Sequence, residues 1–365
     1  RRKATCIATR YAHQRRQFGP DADNEVPIIS YPSTCVRIMP VIASCYAGEF
    51  ALRAVLVKFT RLFEPKTEQS AKEKSETLAE THALISGLKA VLTTDTQQSL
   101  HVLRECCGGH GYSAYCHIGS LANDNDIMQT YEGDNTVLIQ QLGGYLLKKF
   151  SKQFKGNLIV DGLNFLKKQI GSAVVQRNPV ITRVTVKNHL CSYNYHLTAF
   201  EYRTAKLLTD CATSLRANKK KMGEFEAWSS VVPIMLKLGR AYMEQFALEQ
   251  FVAVIQSTRN AHPEVRKALK IMCKVYALSI MDRNAGEFGD LFRGNKTRAI
   301  SHVFAENCML MKDYSLSLVD AFEIPDFLLD APIGLSNNSY VDNILDYTES
   351  KNPTNAEAFR LLSKL

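Results

Sequence analysis

Three short motifs contain residue types that can do chemistry, and they follow one another in a fixed order. They read Arg10-Tyr11 with Arg15-Arg16-Gln17-Phe18-Gly19, then Cys107-Gly108-Gly109-His110-Gly111-Tyr112, then Tyr131-Glu132-Gly133-Asp134-Asn135-Thr136. A carboxylate held over a substrate can act as a general base, and Glu132 stands on a predicted loop beside a glycine. The ordinary alternative for a loop glutamate is a solvated surface charge.

The other two motifs contain residue types that can bind a phosphorylated ligand. Arg15 can form bidentate hydrogen bonds to a diphosphate, although it could equally be a surface charge on an amphipathic helix. Gly108 and Gly109 let the backbone approach a ligand closely, or they only end a helix. A helix that begins near Thr136 would offer free N–H groups and a positive dipole end to an anionic ligand.

The elements that position these motifs are predicted to be helices throughout. Apolar residues recur every three to four positions, and no strand-period pattern is sustained. Ile38, Ile42, Cys45, Leu52, Leu56, Phe59 and Phe63 form one apolar face. Met235, Leu238, Tyr242, Phe246 and Val252 form another. Helices are expected over about 38–63, 80–107, 136–149, 196–215, 226–259, 263–284 and 297–322. Residues 108–135 are expected to form a loop, and either Asp134 or Asn135 to cap the helix after it.

Composition limits the classes of protein that remain. The 365 residues are 45% hydrophobic, enough for two helical domains, with the expected boundary in 150–180. The net charge of +9 is dispersed, so no nucleic-acid partner is expected, and no apolar run is long enough to predict a membrane span. Ten unpaired-looking cysteines indicate reduced, buried thiols and no metal site. The start lacks both Met and an apolar signal region, so the chain is expected to begin within a longer protein.

Taken together and in this order, the three motifs resemble those of the acyl-CoA oxidases. The acyl-CoA dehydrogenase superfamily has weaker forms of them, and the segment 121–126 is most similar to the branched-chain, pristanoyl-CoA branch of the oxidases. The resemblance implies an all-α fold. An acyl-CoA dehydrogenase-like C-terminal helical bundle would occupy residues 1–155, and an oxidase-type helical domain would occupy 156–365. The N-terminal helical domain and β-domain of the family would be absent.

The resemblance also implies a reaction. Glu132 would remove the α-proton of a fatty acyl-CoA while the β-hydrogen leaves as hydride to FAD, giving a trans-2-enoyl-CoA. Hydrogen bonds to the thioester carbonyl would stabilise the developing enolate, one of them from the backbone N–H of the base. Molecular oxygen would then reoxidise the flavin and yield hydrogen peroxide. A dehydrogenase, which passes electrons to another flavoprotein, is the alternative enzyme.

Further roles carry over by matching positions to the motifs of the family. Gly133 would lie where the substrate passes. A homodimer is implied, because the first motif matches a segment that reaches the FAD of a neighbouring subunit. The FAD-binding positions would be Arg15, Arg16, Gln17, Glu105, Cys106, Cys107, Gly108, Gly109, Asp134, Asn135 and Thr136.

Departures from the family pattern favour a third, non-enzymatic alternative, a shortened subunit that binds no FAD. Thr34 and Cys35 replace a frequent Gln-Gln pair, Glu105 puts an acid near an expected anion, and Asn123 replaces an expected Arg. The last three residues, Ser363, Lys364 and Leu365, match the address read by the peroxisomal import receptor. A location in the peroxisomal matrix is therefore expected.

Overall fold

The structure is a computed structural model that describes residues 1–21, 23–64, 70–151, 185–292, 294–351 and 353–364. Helices make up the regular structure of this part of the chain. The described residues contain no named strand, and their only β-type pairing is an isolated antiparallel bridge between Arg16 and Pro27. The predicted all-α class is confirmed.

The described helices are numbered here in chain order. They are α1 (Arg2–Gln14), α2 (Pro32–Arg61), α3 (Ala71–Cys106), α4 (Ile118–Asp126), α5 (Asn135–Ser151), α6 (Lys187–Leu190), α7 (Tyr193–Asn218), α8 (Glu224–Ser257), α9 (Pro263–Arg283), α10 (Lys296–Lys312), α11 (Ser315–Asp320), α12 (Asp326–Leu329), α13 (Tyr340–Lys351) and α14 (Pro353–Leu362). Short 3₁₀ turns lie between several of them, including Gly108–Tyr112, Ala114–Cys116 and Pro332–Gly334.

Periodicity located most of the long helices but misplaced some of their ends. Helix α3 begins nine residues before the expected start at 80, because Glu73 accepts hydrogen bonds from both the backbone and the hydroxyl of Ser70 and so caps a polar first turn. The expected loop over 108–135 was wrong in part, since it contains α4. The expected helix over 297–322 is broken into α10 and α11.

The predicted apolar face of helix α2 is buried along only part of its length. Ile38 and Ile42 are fully buried, but farther along the helix Leu56 is 56% and Phe63, just past its end, 69% exposed. Pro40 lies inside the helix rather than near its start, because the helix already begins at Pro32. By length and composition alone α2 could also cross a membrane, a test that buried core helices of soluble proteins pass as well.

The chain divides into two compact units, and the first is assembled from residues 1–45, 96–127 and 308–365. Helix α1 is almost wholly buried there and packs against α11 and the turn Pro332–Gly334. The Arg10 guanidinium is buried and ion-paired to Asp320 at 2.7 Å and Asp326 at 2.9 Å. Two carboxylates therefore neutralise one buried cation, and these ion pairs connect the first helix with the last part of the chain.

The second unit consists of residues 46–95 and 128–307. Its core is a helical bundle in which α8 packs along α5, α7 and α9. Met235, Leu238 and Tyr242 are buried on α8, as their spacing predicted. The predicted boundary at 150–180 between domains 1–155 and 156–365 lies mostly outside the described residues and stays a prediction.

Candidate functional site

Glu132 lies on a tight turn that leaves both its carboxylate and its backbone N–H accessible. Its φ is 56° and that of Gly133 is 112°, so two successive residues adopt left-handed backbone conformations. Such a conformation is uncommon for glutamate and is often found at functional sites. Glu132 is exposed, and neither its side chain nor its N–H bonds to any other residue within the described ranges.

Only glycine fits the position after Glu132. A Cβ at residue 133 would lie 2.9 Å from Leu138 Cδ2, closer than carbon atoms pack, and it would also have to adopt the positive φ. Leu138 is buried on α5, and its terminal methyl group would have to shift. The turn therefore favours glycine at position 133, and that preference assigns no role to the Glu132 carboxylate.

The start of α5 does not offer the free N–H groups that the sequence suggested. Asp134 caps the helix, and its Oδ1 accepts hydrogen bonds from the backbone N–H of Thr136 at 2.9 Å and of Val137 at 3.3 Å. The prediction of a cap at Asp134 or Asn135 is confirmed at Asp134. This cap already occupies two of the N–H donors at the start of the helix, and the expected anion site there stays a prediction.

A lysine that the sequence did not single out braces the Glu132 turn. Lys89 Nζ donates to the Gly133 carbonyl at 2.7 Å and to Asn135 Oδ1 at 2.9 Å. The ammonium also lies 5.9 Å from the centre of the Tyr131 ring. Lys89 belongs to α3, far away in the sequence, so no local signal indicated its role.

Both polar atoms of the Asn135 side chain form hydrogen bonds to α3, so Asn135 also helps to hold the Glu132 turn. Its Nδ2 donates to the hydroxyls of Thr93 and Thr94, each at 2.9 Å. The side chains of Asp134 and Asn135 are thus engaged within the chain. Thr136, by contrast, is exposed, and its hydroxyl makes no hydrogen bond to the described residues.

The first motif places Arg15 in a fixed position rather than leaving it as a mobile surface charge. Arg15 Nη1 donates to the Tyr340 hydroxyl at 3.1 Å, and Nη2 donates to Gln17 Oε1 at 2.7 Å. The hydrogen bond to Tyr340 is the largest influence on Arg15 and raises its pKa. Arg16 is exposed, and its Nη1 donates to the Glu25 carbonyl at 3.0 Å.

An aromatic cluster, defined here as Tyr11, His110 and Tyr340, connects the first motif with the second. The ring centres are 5.4 Å apart for Tyr11 and Tyr340, 5.7 Å for Tyr11 and His110, and 5.8 Å for His110 and Tyr340, all edge-on. The structure therefore brings Arg15 and the glycine segment together through Tyr340. Sequence reasoning missed Tyr340, which lies on α13 and belongs to none of the motifs.

The glycine segment is open to solvent where a ligand would need to approach. Gly108 has a φ of 55°, and a Cβ on either Gly108 or Gly109 would meet no atom within 4 Å. Glu105, the acid that seemed unsuited to an anion site, is paired with Arg37 at 2.6 Å. That ion pair compensates the negative charge of Glu105.

The candidate residues fall into two groups. Those of the first two motifs, together with Cys106 and Cys107, belong to the first unit, while 132–136 belong to the second. Cys106 and Cys107 are both buried. At the end of the chain Ser363 and Lys364 are exposed after α14, and Leu365 lies outside the described residues. No group of three His, Cys, Asp or Glu suited to a metal ion occurs in the part of the chain that the structure describes.

Comparison with protein families gives two adjacent matches. Residues 1–147 match the family model described as the acyl-CoA oxidase C-alpha1 domain, and residues 192–361 match the model described as acyl-CoA oxidase. The peroxisomal acyl-coenzyme A oxidase 2 of Arabidopsis thaliana is 36% identical over 336 residues, covering 92% of this chain and 47% of that protein. The human peroxisomal acyl-coenzyme A oxidase 3 is 30% identical over 352 residues, with 93% and 49% covered.

Solved structures show the same similarity in three dimensions. The Arabidopsis thaliana acyl-CoA oxidase 1 superposes with a TM-score of 0.82 at 25% identity, over 96% of this chain and 52% of that one. An acyl-CoA oxidase-2 of Caenorhabditis elegans, bound with FAD, ascaroside-CoA and ATP, superposes with a TM-score of 0.83 at 22% identity, over 97% and 51%. The chain thus spans about half the length of these relatives.

Proposed function

From the premise that the chain belongs to the acyl-CoA oxidase family, we propose that it supplies the catalytic base of an FAD-dependent acyl-CoA oxidase. The reaction is the α,β-dehydrogenation of a fatty acyl-CoA to a trans-2-enoyl-CoA. Glu132 is the base. The observation that carries this proposal is the Glu132 turn, where a carboxylate and a backbone N–H of the same residue are both free.

These two groups have complementary tasks in the proposed reaction. The carboxylate takes the proton from the carbon next to the thioester, and negative charge develops on the thioester oxygen. The Glu132 N–H donates a hydrogen bond to that oxygen, where it stabilises the enolate more than the ground state. Lys89 and Asp134 hold the turn from either side, so neither group has to be ordered during the reaction.

A carboxylate becomes a stronger base when water is excluded around it, and the described residues do not do this for Glu132. The relatives are about twice as long as this chain. We propose that residues beyond this chain complete the enclosure. The branch of the family and the length of the acyl chain would depend on those residues.

The residues of the first unit fit the FAD that the family implies. Gly108 and Gly109 leave open space for a close backbone approach, and Arg15 is held with a side chain suited to a diphosphate. Because Glu105 is paired with Arg37, its negative charge does not argue against an anionic diphosphate bound nearby. When bound, FAD would supply the hydride acceptor for the β-hydrogen, and molecular oxygen would be the final electron acceptor, giving hydrogen peroxide.

The decisive experiment is the substitution Glu132→Gln in the full-length protein. Gln keeps the size of the side chain but is not a base, so turnover of acyl-CoA should fall by at least about 10²- to 10⁴-fold. The flavin absorbance bands should remain. Release of peroxide and absorbance at the flavin bands measure the two properties on the same sample.

Glu323→Gln is the matched control. Glu323 is also an exposed glutamate with a left-handed backbone, at a φ of 55°, but it lies outside the three motifs. The control variant should keep full activity. Turnover at the unsubstituted rate in the Glu132→Gln variant would contradict the assignment of the base.

We also propose that the protein forms a homodimer. The family segment at Arg15, Arg16 and Gln17 implies a flavin shared between subunits. Exposed apolar side chains late in α2, such as Leu52 and Leu56, suit an intersubunit surface. Light scattering should give the mass of two chains, and a single-chain mass at micromolar concentration would contradict the proposal.

The C-terminal tripeptide supports a location in the peroxisomal matrix, which the peroxisomal relatives also suggest. Ser363 and Lys364 follow the last helix and are exposed, as a receptor-read address must be. Removal of the last three residues should leave a fluorescently tagged protein in the cytosol. Continued import of the shortened protein would exclude this address as the signal.

A second candidate is a shortened subunit without catalysis, and the open surroundings of Glu132 favour it. It predicts that this chain, purified as given, shows no flavin absorbance. Stoichiometric flavin in that preparation would exclude it. Separately, slow reoxidation of the reduced full-length enzyme by oxygen would indicate a dehydrogenase instead.

A further inference from the structure

A cavity of about 780 Å³ opens at one end of the helical bundle of the second unit. Its walls come from the last turns of α5, from the end of α7 with the turn that follows it, and from Trp228 near the start of α8. These three helices pack against one another, and Asn218 Nδ2 donates to Ser230 Oγ at 2.7 Å, which joins the end of α7 to α8. Small-molecule sites in proteins have volumes of about 300–1,000 Å³, so this cavity is large enough for a ligand.

The interior of the cavity is largely apolar. Leu147 and Phe150 of α5 line it and are buried. Trp228 lies so close to α5 that a Cβ on Gly144 would come within 3.3 Å of the indole Cη2. The indole is still 37% exposed, so part of its aromatic surface remains available to a ligand. A hydrocarbon chain that enters such a cavity removes apolar surface from water, on both the ligand and the protein.

The charged part of the lining is entirely positive. It contains the four cations Lys148, Arg216, Lys219 and Lys220, and none of the described residues that line the cavity is acidic. Lys219 is ion-paired with Glu224. The other three side chains are exposed and form no ion pair with the described residues. Basic residues are common at the end of a helix such as α7, but here they border an apolar cavity.

The two parts of the lining together select one class of ligand. A neutral lipid would leave the cations without a partner, and a small anion such as phosphate would gain nothing from Leu147, Phe150 and Trp228. A phospholipid has two tails for a single cavity. A coenzyme A thioester has a head group so large that most of it would remain outside. A single apolar tail that ends in a compact anion fits both parts.

We propose that this cavity binds one free long-chain fatty acid. The tail lies against Leu147, Phe150 and Trp228, and the carboxylate lies at the rim, where Arg216 and Lys220 supply positive charge. The ligand is held without a covalent bond. Charge-assisted hydrogen bonds fix its head group, and burial of its methylene groups supplies most of its affinity.

This site is separate from the Glu132 turn. That turn precedes the start of α5, whereas the cavity is lined by its last turns, and residues 135 and 144 are already separated by about 13 Å of helix. Binding of the fatty acid requires neither flavin nor a base. The Glu132→Gln variant should therefore bind it as the unsubstituted protein does, and a failure of the proposed function would leave this result unchanged.

The experiment incubates the full-length protein with a palmitate analogue that carries a photoreactive diazirine in its tail. After irradiation and digestion, mass spectrometry identifies the labelled peptides. The label is expected within residues 144–151, within residues 212–220 or at Trp228. Palmitate should compete for the label, and octanoate should compete far more weakly, because each buried methylene group is worth about fourfold in affinity. Labelling confined to other peptides would overturn the proposal.

Two variants separate the contributions of volume and charge. Thr213 is exposed and lines the cavity, so Thr213→Trp should fill it and reduce the label to background while the circular dichroism spectrum stays the same. Arg216→Gln should raise the palmitate concentration needed for half-maximal competition about tenfold, because a hydrogen bond to a charged group is lost. Lys237→Gln is the matched control, since Lys237 is an exposed cation of α8 that does not line the cavity, and competition should be unchanged.

The outcomes that contradict the proposal are distinct. Equal labelling of the Thr213→Trp variant and the unsubstituted protein would exclude this cavity as the site. Equal competition in the Arg216→Gln and Lys237→Gln variants would exclude the role of the rim. Stronger competition by palmitoyl-CoA than by palmitate would overturn the assignment to a free fatty acid. Labelling that does not saturate would mean that the cavity is filled by the protein itself, and would overturn the proposal as well.

Discussion

The substitution Glu244→Gln tests whether a buried charge network holds the second unit together. The network contains three guanidinium groups and three carboxylates, from Arg203, Arg240, Arg283, Asp95, Glu244 and Glu287. Glu244 is at its centre, with only 3% of its side chain exposed. Its oxygens lie 2.5 Å from Arg203, 3.0 Å from Arg240 and 3.4 Å from Arg283.

The expected magnitude follows from the balance of charges. Neutralising Glu244 leaves three cations facing two anions, with Arg203 only 1% exposed. Removing one partner of a buried ion pair costs about 3–5 kcal/mol. Because Gln preserves the shape and one acceptor oxygen, and because Glu287 still binds Arg203, we expect the lower value, about 3 kcal/mol. For a unit of this size that lowers the melting temperature by about 6–12 °C.

Thermal unfolding followed by circular dichroism measures this shift. Glu224→Gln is the control, because Glu224 is likewise ion-paired, to Lys219, but this pair is exposed, and no measurable shift is expected. Equal melting temperatures for the Glu244→Gln variant and the unsubstituted protein would refute the reasoning.

The same network predicts how the stability that Glu244 contributes changes with pH. Burial alone would raise the pKa of Glu244, but the charges of Arg203, Arg240 and Arg283 and the hydrogen bond from Arg203 outweigh it and lower the pKa below the ordinary 4.5. A carboxyl with a lowered folded-state pKa contributes stability above its unfolded pKa and loses it as pH falls through the folded value. The difference in stability between the two proteins should therefore shrink in acid, below about pH 4.5.

Two further predictions concern single side chains. Lys89→Met should lower kcat by about tenfold or more with little change in KM, because the Gly133 carbonyl loses its hydrogen bond from the ammonium. Lys89→Arg should restore part of the rate, and the control Lys72→Met, on the same helix, should have no effect. Equal kcat values for the two Met variants would exclude a positioning role for Lys89. Burial raises the pKa of Glu249 to about 8, so its contribution to stability is present below its ordinary pKa of 4.5 and is lost as pH rises toward 8. Urea unfolding from pH 4.5 to 8 should show Glu249→Gln gaining stability over the unsubstituted protein, and parallel curves would contradict the shift.

The sequence correctly predicted those features that depend on residues close together in the chain. The cap at Asp134 follows from a short polar side chain before an apolar period, and the buried stripe on α8 follows from helical spacing. Helix α4 was missed because Asn and Asp usually favour turns. Here Asn125 is buried, and its Nδ2 donates to Gln97 Oε1 at 2.8 Å. That partner lies on another helix, so the local pattern gave no sign of it.

The parts of the site that could not be predicted depend on residues distant in the chain. Lys89 and Tyr340 look like ordinary surface residues until the fold brings them to the motifs. No sequence signal singles out Arg203 either, yet it is among the most buried side chains. Periodicity indicates which face of a helix is apolar, but not which charged residues find partners in the interior.

The discontinuous first unit has a consequence for synthesis on the ribosome. Helix α1 is synthesised well before two of the groups that cover it: Cys6 Sγ donates to the Val319 carbonyl, and Gly334 packs against Ile7 so closely that a Cβ would lie 2.7 Å from the Ile7 Cα. Translation must therefore proceed through about 300 intervening codons before α1, which is buried in the folded unit, can make these contacts. During that interval the nascent chain is a natural client for chaperones, and a premature stop before residue 308 leaves α1 without its contacts to the last part of the unit.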